Sequence, residues 1–134
     1  YNSLLPYLFS LFGLYQSDWA WINFRGAGHL HIPTRVTSIG KNAFEGNELT
    51  ELIVPTSVSS IGDWAFGDNK LNILEIPKSV TSIGEWAFVR NKLKTVKIPN
   101  SISIISAGVF HGNQLTSVQI PSSINSIGKM AFSL

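Results

Sequence analysis

The chain has 134 residues, of which 44% are apolar and 13% charged, with ten basic against eight acidic residues and a formal charge of +2. This suits one folded domain with a core and excludes a disordered chain, while so even a balance makes no case for nucleic acid. The absence of cysteine excludes disulfides and thiolate metal sites and leaves the compartment open.

The chain opens on an apolar run, LLPYLFSLFGLY, at 4–15. Its 12 residues are too few to cross a membrane, and they include Pro6 and Gly13. No basic residue precedes the run and no small-x-small site follows it, so it fits a signal peptide poorly. The start at Tyr1 reads as that of a processed or trimmed chain. Ser17-Asp18-Trp19-Ala20-Trp21 mirrors Gly62-Asp63-Trp64-Ala65-Phe66. Residues 1–28 are therefore expected to form an N-terminal cap or degenerate coil. The rival expectation is an anchor on a membrane surface or a partner.

From residue 29 the sequence repeats every 22 residues. Prolines fall at Pro33, Pro55, Pro77, Pro99 and Pro121, and phenylalanines at Phe44, Phe66, Phe88, Phe110 and Phe132. Asn47, Asn69, Asn91 and Asn113 keep the same step, as do Gly40, Gly62, Gly84 and Gly128. A fixed period of this length means a solenoid.

Within a unit, Leu74-Glu75-Ile76-Pro77 alternates apolar and polar, so it predicts a short strand that the proline ends. The five strands are expected near 30–32, 52–54, 74–76, 96–98 and 118–120. Val80, Ile83 and Ala87 then recur at spacings of three and four, which suits a short helical or 3-10 turn. Thr81-Ser82-Ile83 equally fits a second, minor strand. Gly84 permits a close backbone approach, Phe88 enters the core and Asn91 takes the turn. One unit buries too few apolar side chains to offset its backbone entropy. Units must therefore stack, with their strands in a parallel sheet. The asparagine column Asn47, Asn69, Asn91 and Asn113 is expected to form a structural ladder that bonds backbone amides between coils. A polar binding row is the second reading.

The pattern IPxSVTSIGxxAFxxNxLxxLxIP resembles the BspA-like leucine-rich repeat, over roughly His29 to Phe132. The unit at 99–113 departs from it: Ile104 stands for the usual Ser, Ser106 for Gly and Val109 for Ala. A locally distorted coil is expected there. The resemblance implies a leucine-rich-repeat-like solenoid at 29–134 and a surface or secreted bacterial protein. The chain stops at Phe132-Ser133-Leu134, inside a unit, which reads as an incomplete coil with an open edge at 118–120. Either the natural protein continues or two copies pair there as a homodimer.

Candidates for chemistry are few. His29 and His31 share one strand face, with Glu51 one coil on, and two imidazoles plus a carboxylate can bind zinc. The plainer reading is a pair of solvent-facing strand residues, and no metal site is expected. Gly26-Ala27-Gly28 is too short for a dinucleotide fingerprint. The serines recur as structural columns, unlike a nucleophile in its own setting. Neither catalysis nor a cofactor is expected.

What remains is surface. The outward strand positions form two files, His31, Ile53, Glu75, Lys97, Gln119 and His29, Glu51, Ile73, Thr95, Ser117. Ile53 and Ile73 are the candidate anchors for a protein partner. Arg90, Lys92 and Lys94, beside Lys97, make a basic edge, read first as a solvated turn and second as a site for a sulfated glycan or acidic protein. Trp64 and Trp86 occupy equivalent places and are expected to stack. The resemblance implies an extracellular or cell-surface adhesion module that binds a host or matrix protein through the sheet face. The alternative is a structural spacer or self-assembling solenoid without a specific ligand.

Overall fold

The computed structural model describes residues 28–134. These wind into a stack of coils, at 29–50, 51–72, 73–94, 95–116 and 117–134. Each coil carries two short strands: β1 (His29–Leu30) and β2 (Ser38–Ile39), β3 (Glu51–Ile53) and β4 (Ser60–Ile61), β5 (Ile73–Glu75) and β6 (Ser82–Ile83), β7 (Thr95–Lys97) and β8 (Ile104–Ile105), β9 (Ser117–Gln119) and β10 (Ser126–Ile127). All pairing is parallel and in register at 22 residues, as in His29 with Glu51 and Ser38 with Ser60.

Two expectations change in detail. The first strand of each coil begins one residue early and stops before the inward-facing residue that precedes proline. The stretch read as a helical turn holds no helix; its first part is the second, minor strand, and turns follow. The reason lies at one position of the repeat. Asn42, Trp64, Trp86, Gly108 and Met130 all have left-handed backbones, with φ of 61°, 59°, 61°, 63° and 61°. A left-handed residue in every coil interrupts a right-handed helix before it can propagate.

The core is columnar. Phe44, Phe66, Phe88, Phe110 and Phe132 stack face to face, with successive ring centroids 5.4 to 5.9 Å apart. Leu49, Leu71 and Leu93 and the strand residues Ile39, Ile61 and Ile105 are buried around them. Asn69, Asn91 and Asn113 are buried too, and they form the ladder. The Asn91 amide donates to the carbonyls of Phe66 in the coil before (3.0 Å) and Phe88 in its own (3.1 Å). Its Oδ1 accepts from the Leu71 amide at 3.0 Å. Asn69 and Asn113 repeat this arrangement, whereas among the described residues the half-buried Asn47 donates to the Glu45 carbonyl alone. Each buried asparagine thus satisfies backbone groups that the strand ladders do not reach.

The ladders are interrupted once. The sheets run β1-β3-β5 and β2-β4-β6, then β7-β9 and β8-β10, so neither ladder joins the coil at 73–94 to that at 95–116. The glycine column accounts for this. A Cβ on Gly62 would lie 2.7 Å from the Lys41 amide nitrogen, and one on Gly84 2.5 Å from that of Asp63. Only glycine lets successive coils approach so closely. Ser106 stands in this column and carries a Cβ. Its hydroxyl, 2.5 Å from the Ile83 carbonyl oxygen, takes the bond that the amides of Gly62, Gly84 and Gly128 make elsewhere. The turn side stays closed: the Trp86, Phe88 and Arg90 amides bond Ala107, Val109 and His111 at 3.0, 3.0 and 2.8 Å. The two coils therefore part only along their strands.

The cap expected over 1–28 lies outside the described residues, apart from Gly28. Among the described residues no helix is long and apolar enough to cross a membrane.

Candidate protein-binding face

Alternation along each first strand sends its middle residue inward and its flanking residues outward. Register then lines the outward residues up between coils. Glu51 pairs with His29 and Ile73, Ile53 with Glu75, Thr95 with Ser117, and Lys97 with Gln119. The file from His29 and, from Ile53 onward, the file predicted to start at His31 therefore line up in register, with a gap at the interrupted ladder, between Ile73 and Thr95 and between Glu75 and Lys97; His31 lies just past the end of β1. All ten positions are exposed except Glu51, which is half-buried. Ile53 and Ile73 are 52% and 49% exposed and sit diagonally on neighbouring strands, a small apolar centre with polar residues on both sides.

His29 Nδ1 lies 2.9 Å from Glu51 Oε2. His31 makes no third partner to that pair, and among the described residues no group of three His, Cys, Asp or Glu could hold a metal ion. A hollow of about 420 Å³ runs beneath these residues, lined by His29, His31, Ile32, Glu51, Ile53 and Pro55 among others.

The basic edge is less uniform than its sequence. Arg90 clasps Asp68 with two nitrogens, Nε at 2.5 Å and Nη2 at 2.9 Å, and its guanidinium carbon lies 5.5 Å from the centre of the Trp64 ring. The hydrogen bond from Arg90 holds the Asp68 carboxyl below its ordinary value, against a smaller opposing effect of desolvation. Lys92 and Lys94 remain exposed beside it. Trp64 and Trp86 do stack, with centroids 6.0 Å apart, and both are half-buried, so the pair is a lid on the turn side as well as a partly accessible aromatic surface.

One feature escaped the sequence. A hollow of about 530 Å³ spans the coils at 73–94, 95–116 and 117–134, reaching across the interruption, lined by Ile76, Pro77 and Lys78, by Lys97, Ile98, Pro99 and Asn100, and by Gln119, Ile120 and Pro121. Its lining is the Ile-Pro step that each coil repeats, legible in the sequence only as the end of a strand.

The family described as "BspA type Leucine rich repeat region" matches residues 22–134 in 6 copies. Among solved structures, a leucine-rich repeat protein from Eubacterium ventriosum is similar at 30% identity with a TM-score of 0.63, over 68% of this chain and 25% of that one. A leucine-rich repeat protein from Bacteroides ovatus is similar at 26% identity with a TM-score of 0.55, over 72% of this chain and 32% of that one. The chain thus spans a quarter to a third of the length of these two relatives. No curated protein matches it.

Proposed function

This chain belongs to the BspA-type leucine-rich repeat family, and from that premise we propose that it is the binding module of a bacterial cell-surface or secreted protein, adhering to a protein partner through its sheet face. The family is one of bacterial surface repeat modules whose general use is protein binding, and leucine-rich repeats are binding and scaffold folds. The observation that carries the finer reading is the pair Ile53 and Ile73, half-exposed at the centre of two in-register polar files. Core positions repeat from coil to coil, while the file residues change in charge, size and polarity. A surface tuned for recognition varies in this way on a constant scaffold.

The test is adhesion of beads coated with the chain to immobilised host-matrix proteins, with Ile53→Asp/Ile73→Asp as the variant. Capture should fall at least tenfold while the thermal midpoint stays put, since both side chains are outside the core. Equal capture by parent and variant would overturn the role of this face. Concentration-dependent assembly of the parent without any ligand would instead support the spacer reading.

The basic edge supports glycan binding more weakly, because Arg90 is already held by Asp68. Heparin retention lost on neutralising Lys92 and Lys94 is the result that would favour it.

A further inference from the structure

We propose that the hollow along the Ile-Pro steps of the third, fourth and fifth coils, which crosses the opening between the third and fourth, is a docking slot for an extended acidic peptide segment that carries one large apolar side chain. The inference rests on the reading of the sheet side as the partner surface, since Lys97 and Gln119 belong to both. It adds the place and the chemistry of the ligand.

Three observations converge there. First, both strand ladders stop between the third and fourth coils, which stay joined by backbone bonds on the turn side and by the Ser101 and Ser106 hydroxyls. Second, the gap uncovers core. Leu52 and Val54 are buried in the coil before and Val96 and Ile98 in the coil after, yet Leu74 and Ile76 are only partly buried. Apolar side chains without a cover gain from one that a ligand brings. Third, the slot is charged with one sign. Lys78 and Lys97 line it and no carboxylate does. Neither lysine has an ion-pair partner among the described residues, and Glu75, the file neighbour of Lys97, does not reach it across the interrupted ladder.

The dimensions fit a peptide. A hollow of about 530 Å³ falls within the ~300–1,000 Å³ of ordinary ligand sites. Its floor is three successive Ile-Pro steps, at Ile76-Pro77, Ile98-Pro99 and Ile120-Pro121, and proline offers the occupant an apolar surface with no amide to compete for it. An aliphatic or aromatic side chain would cover Ile76, and carboxylates on either side would reach Lys78 and Lys97. Asn100 and Gln119 add polar groups able to bond the main chain of the occupant.

The probe is a fluorescein-labelled hexapeptide with one leucine flanked by glutamates, titrated into the chain and read by anisotropy. A peptide with lysines in place of the glutamates, and one with alanine in place of the leucine, serve as controls. The acidic leucine peptide should bind, and both controls should bind at least tenfold more weakly. Lys78→Glu/Lys97→Glu should weaken the acidic peptide at least tenfold, and Ser106→Gly should do so by closing the gap without touching a lysine. Lys129→Glu, which removes an exposed lysine outside the hollow, should leave the peptide affinity unchanged. Absence of binding, or equal affinity in the lysine double variant, overturns the slot. Bead adhesion read separately in Ile53→Asp/Ile73→Asp tells whether the sheet-face reading has failed with it.

Discussion

Ser106 Oγ donates to the Ile83 carbonyl at 2.5 Å, where in the other coils a glycine amide makes the same contact. The substitution keeps a hydrogen bond but adds a Cβ where backbone from the previous coil has to sit. Bonds farther along each ladder are then lost. The Ser59, Thr81 and Asn125 amides reach the carbonyl one coil back at 2.8, 2.9 and 2.7 Å, and no such bond joins Ser103 to Thr81.

Ser106→Gly should therefore close the gap. Each restored backbone bond contributes about 0.5–1.5 kcal/mol, and the freer unfolded chain of a glycine takes back about 0.4–1 kcal/mol. A net gain of roughly 1 kcal/mol is expected in urea unfolding, with slower amide exchange at Ile76 and Ser103. A midpoint at or below that of the parent would mean that something other than the serine separates the coils.

The reciprocal change tests the same geometry from the intact side. On Gly84 a Cβ would lie 2.5 Å from the Asp63 amide nitrogen and 2.7 Å from the Gly62 carbonyl carbon, both of them backbone atoms that cannot swing away. Gly84→Ser should open a second gap, between β4 and β6, at a cost of about 1–3 kcal/mol. Unchanged stability, or protected amides in β6, would rule out the glycine column as the spacer of the coils.

These two positions also show how far the sequence could be read. The coil length, the stacking of Phe66 on Phe88 and the asparagine ladder follow from period and residue type, because each column has one physical solution. The helical turn did not follow. Val80, Ile83 and Ala87 have helical spacing, but Ile83 lies in a strand, and Trp86 before Ala87 is left-handed at φ 61°. Of the five residues at that position only Asn42 and Gly108 are types that favour such a backbone, so the two tryptophans hid it. In the candidate site, both outward files were legible from alternation. The slot was not, because it needs the Ile-Pro steps of three coils brought side by side across the interrupted ladder, which no single unit contains.

The Arg90–Asp68 pair gives a pH dependence of known sign. Asp68 is held below its ordinary value of 3.8 by the hydrogen bond from Arg90. An acid with a depressed folded pKa contributes its stability above the unfolded value and loses it as pH falls through the folded one. The contribution is thus complete at neutral pH and fades only below about 3.8. Both partners are well exposed, so solvent screening keeps it to ~0.2–1 kcal/mol. Asp68→Asn tolerates the local φ of 55° and removes the charge. Its stability difference from the parent should shift in the parent's favour between pH 2 and pH 6, and should shrink in high salt. A difference independent of pH would mean that the pair carries no electrostatic stability.

The asparagine ladder predicts unequal losses from equal substitutions. Asn91 serves the Leu71 amide and three carbonyls, those of Phe66, Phe88 and Val89, and is itself buried. Asn91→Ala leaves that amide unsatisfied and should destabilise the chain by about 1–3 kcal/mol. Asn47 is half-buried, and among the described residues its side chain donates to the Glu45 carbonyl alone, at 3.0 Å, so Asn47→Ala should cost less, about 0.5–1.5 kcal/mol. Denaturant midpoints of the two variants give the comparison. Equal small losses would show that the column does not tie coils together, whereas a large loss at Asn91 alone locates the tie in its contacts with the preceding coil.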